Sequence, residues 1–224
     1  MDKMTKAQQI KQLLILKSLG YRYYDPNLLE KDQNIIQLPG NIDNLKKQSL
    51  GCHLCHLSKT RMNVVFGEGN LNAKIMFVGE APGENEDKEG RPFVGRSGEL
   101  LNAMIENVLG LKREDVYITN IVKCRPPNNR NPLEEETRTC LPFLKKQIEI
   151  IKPKIIVTLG SVALKYLTSN EFQISKVRGT LIKQDNLVII PTFHPSFLLR
   201  NPSAKKDAFE DLKSIKKLYD EIMN

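Results

Sequence analysis

Apolar and polar positions in this chain come in alternating blocks. From Gly51 onward, short runs of β-forming residues bounded by Gly, Pro or Asn are each followed by a stretch with apolar residues three and four apart. The first pattern reads as a buried strand and the second as an amphipathic helix. Strands are expected at about residues 75–78, 116–122, 155–159 and 187–190, and the last of these pairs with an antiparallel piece near residues 179–183. Helices are expected at about 97–109, from Asn131-Pro132 onward, at 161–167 and at 205–222. Ser97 is placed to cap the first helix and Gly110 to end it. Glu134 to Glu136 suit the first turn of the second, which Pro142 should kink. Apolar strands alternating with helices imply an α/β fold whose mostly parallel sheet is covered on both faces.

Before Gly51 the pattern weakens. Residues 1–20 read as an amphipathic helix, with Ile10, Leu13, Leu14 and Leu16 on one side and Gly20 as the stop. Residues 21–49, with Pro26, Pro39 and Gly40, show no sustained period and read as an irregular connector. The expected organisation is an N-terminal helical extension and connector over residues 1–50, then one domain over 51–224.

The length of 224 residues is enough to bury about 70% of the unfolded surface without disulfide staples. The charge is basic, 34 Lys and Arg against 26 Asp and Glu, formally +8. That balance suits a polyanion partner, because Lys and Arg neutralise phosphates. The most apolar N-terminal run, Leu13-Leu14-Ile15-Leu16, is too short for a signal peptide or a membrane span. A reducing cytosol is therefore expected, where four cysteines are better suited to metal or core positions than to disulfides. Cys52 and Cys55 form one C-x2-C knuckle, while Cys124 and Cys140 stand apart. A zinc ribbon would use two knuckles. Two thiolates from one loop and two from separate elements suit an iron–sulfur cubane. His53 and His56, inside and beside the knuckle, leave a Cys/His zinc site open as an alternative.

Candidate chemistry gathers where strands end, the edge of a parallel sheet that carries ligands. Residues 80–93, which follow the first strand, are rich in Gly, Pro and carboxylates and read as a loop. The second strand carries Asn120, and Lys123, Arg125 and Arg130 follow it in a proline-restrained basic loop. The fourth leads to His194, the lone histidine outside the knuckle. No Walker loop and no G-x-S-x-G elbow occurs. Gly160-Ser161 is a weak phosphate-loop hint. An amide that reads a base edge, an aromatic that stacks, an imidazole donor and a carboxylate describe a pocket for a flipped base whose glycosidic bond is cut.

The segments GEAPGENEDKEGRPFVGRSG, VYITNIVKCRPPNNRNP and FHPSFLLRNP, with the four cysteines, resemble the family 4, iron–sulfur, uracil-DNA glycosylases. The resemblance covers Gly51 to about Ala208. It implies a three-layer αβα fold around a four-stranded, mostly parallel sheet. It also implies a structural 4Fe-4S cluster held by Cys52, Cys55, Cys124 and Cys140. Matched position by position, Phe93 would stack on uracil, Asn120 would read its edge, and His194 would donate to O2 of the leaving uracilate. Glu80 and Glu86 match the two acidic positions, Glu80 toward water or loop support and Glu86 toward the C5 edge. Ala81, Pro82 and Gly83 would bring backbone close to the base. Ser196, Leu198, Leu199 and Arg200 match a loop that enters the minor groove, with Leu198 or Leu199 filling the gap left by the flipped base; Arg125 and Arg130 would meet phosphate. Position 81 is Ala where the best-known branch has a water-activating aspartate, and no basic insertion separates Glu89 from Phe93.

The function implied is monofunctional excision of uracil from single- or double-stranded DNA, leaving an abasic site for downstream repair enzymes. A cytoplasmic, nucleoid-associated monomer is expected, with no membrane contact. The rival is a non-catalytic nucleic-acid-binding module, such as the related domain fused to some phage polymerases.

Overall fold

The computed structural model describes residues 38–168, 170–184 and 186–223. The compact unit built on them spans Leu38–Asn224. The helix expected over residues 1–20 lies outside the described residues.

Six strands form one sheet among the described residues, in the order β1-β3-β2-β4-β6-β5. They are β1 (Glu68–Gly69), β2 (Ile75–Gly79), β3 (Tyr117–Asn120), β4 (Ile155–Leu159), β5 (Ile182–Gln184) and β6 (Leu187–Thr192). The central four run parallel, and β1 and β5 add antiparallel edges. The four parallel strands are those expected from the apolar runs, and β5 is the expected antiparallel piece. Strand β1 was not expected, since two residues have no period to read.

Alternation along the strands feeds two cores. Phe77, Ile118, Val157 and Ile190 face one side, while Met76, Tyr117, Ile156 and Ile189 face the other. Side chains one apart leave a strand on opposite faces. Helix α3 (Arg96–Met104), its π-turn continuation (Ile105–Leu109) and the last helix (Lys205–Met223) contribute to the first core. Helices α4 (Glu134–Ile151) and α5 (Ser161–Thr168) contribute to the second, and the short α6 (Ile174–Val177) follows before β5. The result is the expected three-layer αβα sandwich. Phe77 and Leu144 are both fully buried, and each such side chain contributes about 1.5–3 kcal/mol.

Three local expectations change. Within the segment read as an irregular connector lies helix α1 (Ile42–Leu50). The Asn41 side chain caps it by accepting from Asn44 N at 2.9 Å, and Gly51 ends it. Leu45 anchors it on Phe66 and Phe143. Residues 80–93 are not all loop: Glu84–Glu89 form the short helix α2, begun by acidic residues and ended by Gly90 at φ 71°. Helix α4 continues through Pro142, which sits at an exposed position where water can serve the backbone group it leaves free.

The switch in strand order falls at β2, which has β3 on one side and β4 on the other. The carboxyl ends of parallel strands beside such a switch form a natural crevice.

Candidate active site

A cavity of about 740 Å³ opens at that crevice. Its walls come from the ends of β2, β3, β4 and β6, and the helix α7 (Pro195–Arg200) closes one side. Glu80, Ala81, Pro82, Gly83, Glu86, Phe93, Asn120 and His194 all line it. Residues separated by more than a hundred positions thus share one wall system because parallel strands end together.

Asn120 ends β3, paired in register with Gly79 at the end of β2. The ladder carries on past it, with Ile121 N bonded to Gly79 O at 2.9 Å and Val122 N to Glu80 O at 3.1 Å. The Asn120 side chain is 1% exposed, yet its Oδ1 has no hydrogen-bond partner among the described residues. A buried acceptor without a donor costs about 1–3 kcal/mol, so this atom marks a place for a donor brought by a ligand. A β-carbon at Gly79 would lie 2.4 Å from that Oδ1 and 2.6 Å from Cζ of Phe93. Only glycine there lets amide and ring converge.

Beneath Asn120, the buried Lys123 Nζ, whose pKa burial pulls down to about 7, donates to the Asn120 carbonyl at 2.8 Å, to Thr119 Oγ1 at 2.6 Å and to Gln147 Oε1 at 2.7 Å. Read from sequence as part of a basic loop, Lys123 is instead an internal strut. Its signal was its place three residues after a strand-end amide.

The Phe93 ring faces His194 at 5.7 Å between centroids. His194 caps α7: Ser196 N donates to Nδ1 at 3.1 Å, and Ser196 Oγ lies 2.8 Å from the same nitrogen. Since Nδ1 accepts a backbone N–H, the neutral ring carries its proton on Nε2. Burial pulls the ring's pKa down to about 4, with Arg200 adding to the effect and Glu86 opposing it. His194 is thus a neutral Nε2 donor near pH 7.

The two glutamates differ sharply. Glu86 is buried, and its carboxylate accepts from Gly83 N at 3.1 Å, Val94 N at 3.0 Å and Gly95 N at 3.1 Å. Those bonds commit both of its oxygens to holding the Gly83 turn against the loop after Phe93. The resemblance, which points Glu86 toward the C5 edge, does not imply this backbone-holding task. Glu80 has no hydrogen bond to its carboxylate among the described residues, and burial pushes its pKa up.

The expected DNA-contacting residues separate as well. Leu198 is 1% exposed and packed in the core, which withdraws it from any groove and corrects its assignment as a wedge. Leu199 is half-buried, and Ser196 and Arg200 line the cavity. Arg130 donates two hydrogen bonds to the buried Glu136, from Nη1 to Oε2 at 2.9 Å and from Nη2 to Oε1 at 2.7 Å, and so braces its own loop. Arg125 is half-buried, bonded to Asn129 Oδ1 at 2.8 Å and near Glu84. Ser97, Ile174, Ser175 and Phe193 also line the cavity; the sequence suggests Ser97 as the cap of α3, but Gly95 takes that place and Ser97 lies inside the first turn. Gly160 and Ser161 line it too.

The four cysteines line a second, small cavity together with Arg61 and Lys123. All four are free thiols. Burial pushes the Cys140 pKa up to about 12 and raises those of Cys55 and Cys124. Arg61 Nη1 donates to Cys124 Sγ at 3.2 Å, and Lys123 N to Cys140 Sγ at 3.3 Å. Among the described residues no three His, Cys, Asp or Glu side chains are gathered tightly enough for a single ion. No helix among them is long and apolar enough to cross a membrane.

A family model described as "Uracil DNA glycosylase superfamily" matches residues 66–213. The chain is 51% identical over 186 residues to a type-4 uracil-DNA glycosylase of Sulfurisphaera tokodaii, covering 80% of this chain and 84% of that protein. It is 53% identical over 169 residues to a type-4 uracil-DNA glycosylase of Thermotoga maritima, covering 74% and 88%. It is also 32% identical over 171 residues to a DNA polymerase of Bacillus phage SP01, covering 76% of this chain but 18% of the polymerase. With the fold, the cavity and these matches together, the chain belongs to the uracil-DNA glycosylase superfamily, among its type-4 members.

Proposed function

We propose that this protein flips uracil out of DNA and hydrolyses its N-glycosidic bond, leaving an abasic site. The observation that carries this reading is the unpartnered, buried Oδ1 of Asn120, flanked by the Phe93 ring and the Nε2 donor of His194. Uracil offers a donor at N3 and an acceptor at O4, which an amide side chain complements. Cytosine reverses both, leaving buried groups unpaired.

In the reaction the bond between C1′ and N1 breaks, and its electron pair moves onto the base. His194 donates from Nε2 to O2, where the charge collects, without having to be charged itself. Glu80, the carboxylate left uncommitted in the cavity, opposes the positive charge on the sugar, orients the water that adds to C1′ and takes the proton that this water loses. Desolvation, which raises its pKa, also strengthens it as a base. Glu86 keeps the Ala81–Gly83 backbone against the base. No lysine lines the cavity among the described residues, which supports hydrolysis without a Schiff base, and so a monofunctional enzyme. Ser196, Leu199 and Arg200 face the DNA from α7, and Arg125 does so from the basic loop. On this reading it acts as a monomer. Work on DNA in the cytoplasm, at the nucleoid, with abasic-site repair enzymes downstream, follows from this activity.

Cys52, Cys55, Cys124 and Cys140 would hold a 4Fe-4S cluster, whose contribution is a structural cross-link. Four thiols share a cavity without converging on one point. A lone zinc ion would need sulfurs about 3.8 Å apart, from Zn–S bonds of about 2.3 Å, whereas a cluster gives each thiolate its own iron. A metal also takes the place of the protons that these buried thiols otherwise retain.

The test is incubation with a uracil-containing oligonucleotide followed by alkali, with His194→Ala alongside. The wild type should cleave, and the variant should be slower by about 10²–10³-fold. No cleavage by the wild type would overturn the enzyme reading, and an unchanged variant would overturn the role of His194.

A further inference from the structure

Phe93 sits at φ 52°, a left-handed conformation that a bulky residue keeps only when its surroundings hold it there. Much of the hold comes from outside its own loop. Arg113, in the turn before β3, donates from Nη1 to the Phe93 carbonyl at 3.2 Å and from Nη2 to the Pro92 carbonyl at 2.5 Å. The guanidinium is aimed in turn. Glu68 Oε1 accepts from its Nε at 3.1 Å and its Nη2 at 2.8 Å, and Asn102 Oδ1 accepts from Nη1 at 2.7 Å. The same Glu68 carboxylate accepts twice from Arg91, at 2.8 and 3.0 Å.

One carboxylate on the edge strand β1 therefore holds the residue before Pro92-Phe93 and the arginine that binds their carbonyls. The Arg113 and Glu68 side chains are 18% and 28% exposed, shielded well beyond an ordinary surface pair. Behind the loop, a β-carbon at Gly98 would lie 1.9 Å from the Phe93 carbonyl oxygen. Helix α3 thus closes the other side of the same peptide. Neither Glu68 nor Arg113 lines the cavity, so their influence on it must pass through Phe93.

We propose that Glu68 and Arg113 form a clamp that sets the Phe93 ring in the pocket, making both of them positioning residues for recognition of the flipped base. The proposal rests on the uracil-excision reading and assigns a task to the two-residue strand β1. Without the clamp the backbone relaxes toward negative φ, and the ring turns away from the base plane. Lysine cannot replace Arg113, because a point-like ammonium cannot span two carbonyls and a carboxylate as a planar fork does.

The test is a double-mutant cycle in the full-length protein on a uracil-containing oligonucleotide, with free uracil as product inhibitor. Arg113→Ala should raise KM and the uracil inhibition constant by about tenfold, the size of a lost base–aromatic stack, with a smaller change in kcat. In a Phe93→Ala background the same substitution should change KM by less than about twofold. Arg113→Lys should fall between wild type and Arg113→Ala. Glu68→Gln, which keeps the acceptor shape, should show the same dependence on Phe93, and it carries the test should Arg113→Ala not fold. Equal effects with and without Phe93, or an unchanged KM, would overturn the clamp. A wild type that releases no uracil would overturn the excision reading instead, and that is seen before any variant is compared.

Discussion

His194 should remain neutral, with its proton on Nε2, far below the pH at which an ordinary histidine charges. Charging the ring would place a proton on Nδ1, where Ser196 N already points from 3.1 Å, so it would cost the cap of α7 as well as the desolvation of a cation. Burial, then Arg200, take the pKa from 6.5 to about 4 against the pull of Glu86. That shift is worth about 3 kcal/mol in favour of the neutral ring. At pH 5.5 about 3% of the folded protein would carry a charged ring, against about nine-tenths of free histidine. The unfolded chain takes up this proton as pH falls through 6.5, and the folded protein does so only near 4. Stability is therefore unaffected by His194 above pH 6.5 and declines between 6.5 and 4, by up to about 3 kcal/mol. Nitrogen-15 imidazole spectra would read both tautomer and titration, with His194→Gln assigning the signal among the three histidines. Urea unfolding at pH 4.5 and 7 would read the linkage, which His194→Gln should diminish. A midpoint near 6.5, or a proton on Nδ1, would rule out a neutral Nε2 donor at this site.

Other expectations follow from the same geometry. Asn120→Asp should slow uracil excision by about 10–100-fold, the cost of an unpaired buried group, and relax selectivity toward cytosine. If cytosine stays untouched while uracil activity persists in matched duplexes, the edge-reading role is wrong. Gly79→Ala should displace the Asn120 amide and the Phe93 ring, abolishing detectable excision while costing about 1–3 kcal/mol of stability in urea unfolding. Full activity would show that the two groups need not converge. Cys140→Ser should lose iron and visible colour, with a Tm lower by about 2–4 °C for each kcal/mol the cluster supplies; full iron content by metal analysis would contradict the ligand set.

Much of this site was legible because the signals were local. The four parallel strands announced themselves as apolar runs, and parallel strands deliver their following residues to one edge, so Glu80, Asn120 and His194 could be grouped before their positions were known. Helix α1 was also legible in principle, bracketed by Asn41 and Gly51, but its weak apolar period hid it among Pro and Gly. What sequence could not supply were partnerships. Glu86 and Glu80 stand in one motif, yet backbone N–H groups from Gly83, Val94 and Gly95 occupy the first and leave the second free. Leu198 and Leu199 are neighbours, and only the turn of a short helix decides which enters the core. Arg130 reads as a free cation until Glu136 is seen folded back against it. The Glu68–Arg113 pair spans 45 positions, a separation across which no periodicity runs.

Hydrolytic release of uracil is the step on which every role in this pocket depends. The most direct measurement is mass spectrometry of a uracil-containing oligonucleotide incubated with excess wild-type protein and left without alkali. Free uracil and an unbroken strand lighter by the base, with water added at C1′, are expected. An unaltered strand, or one cleaved at the abasic site by the protein alone, would contradict it.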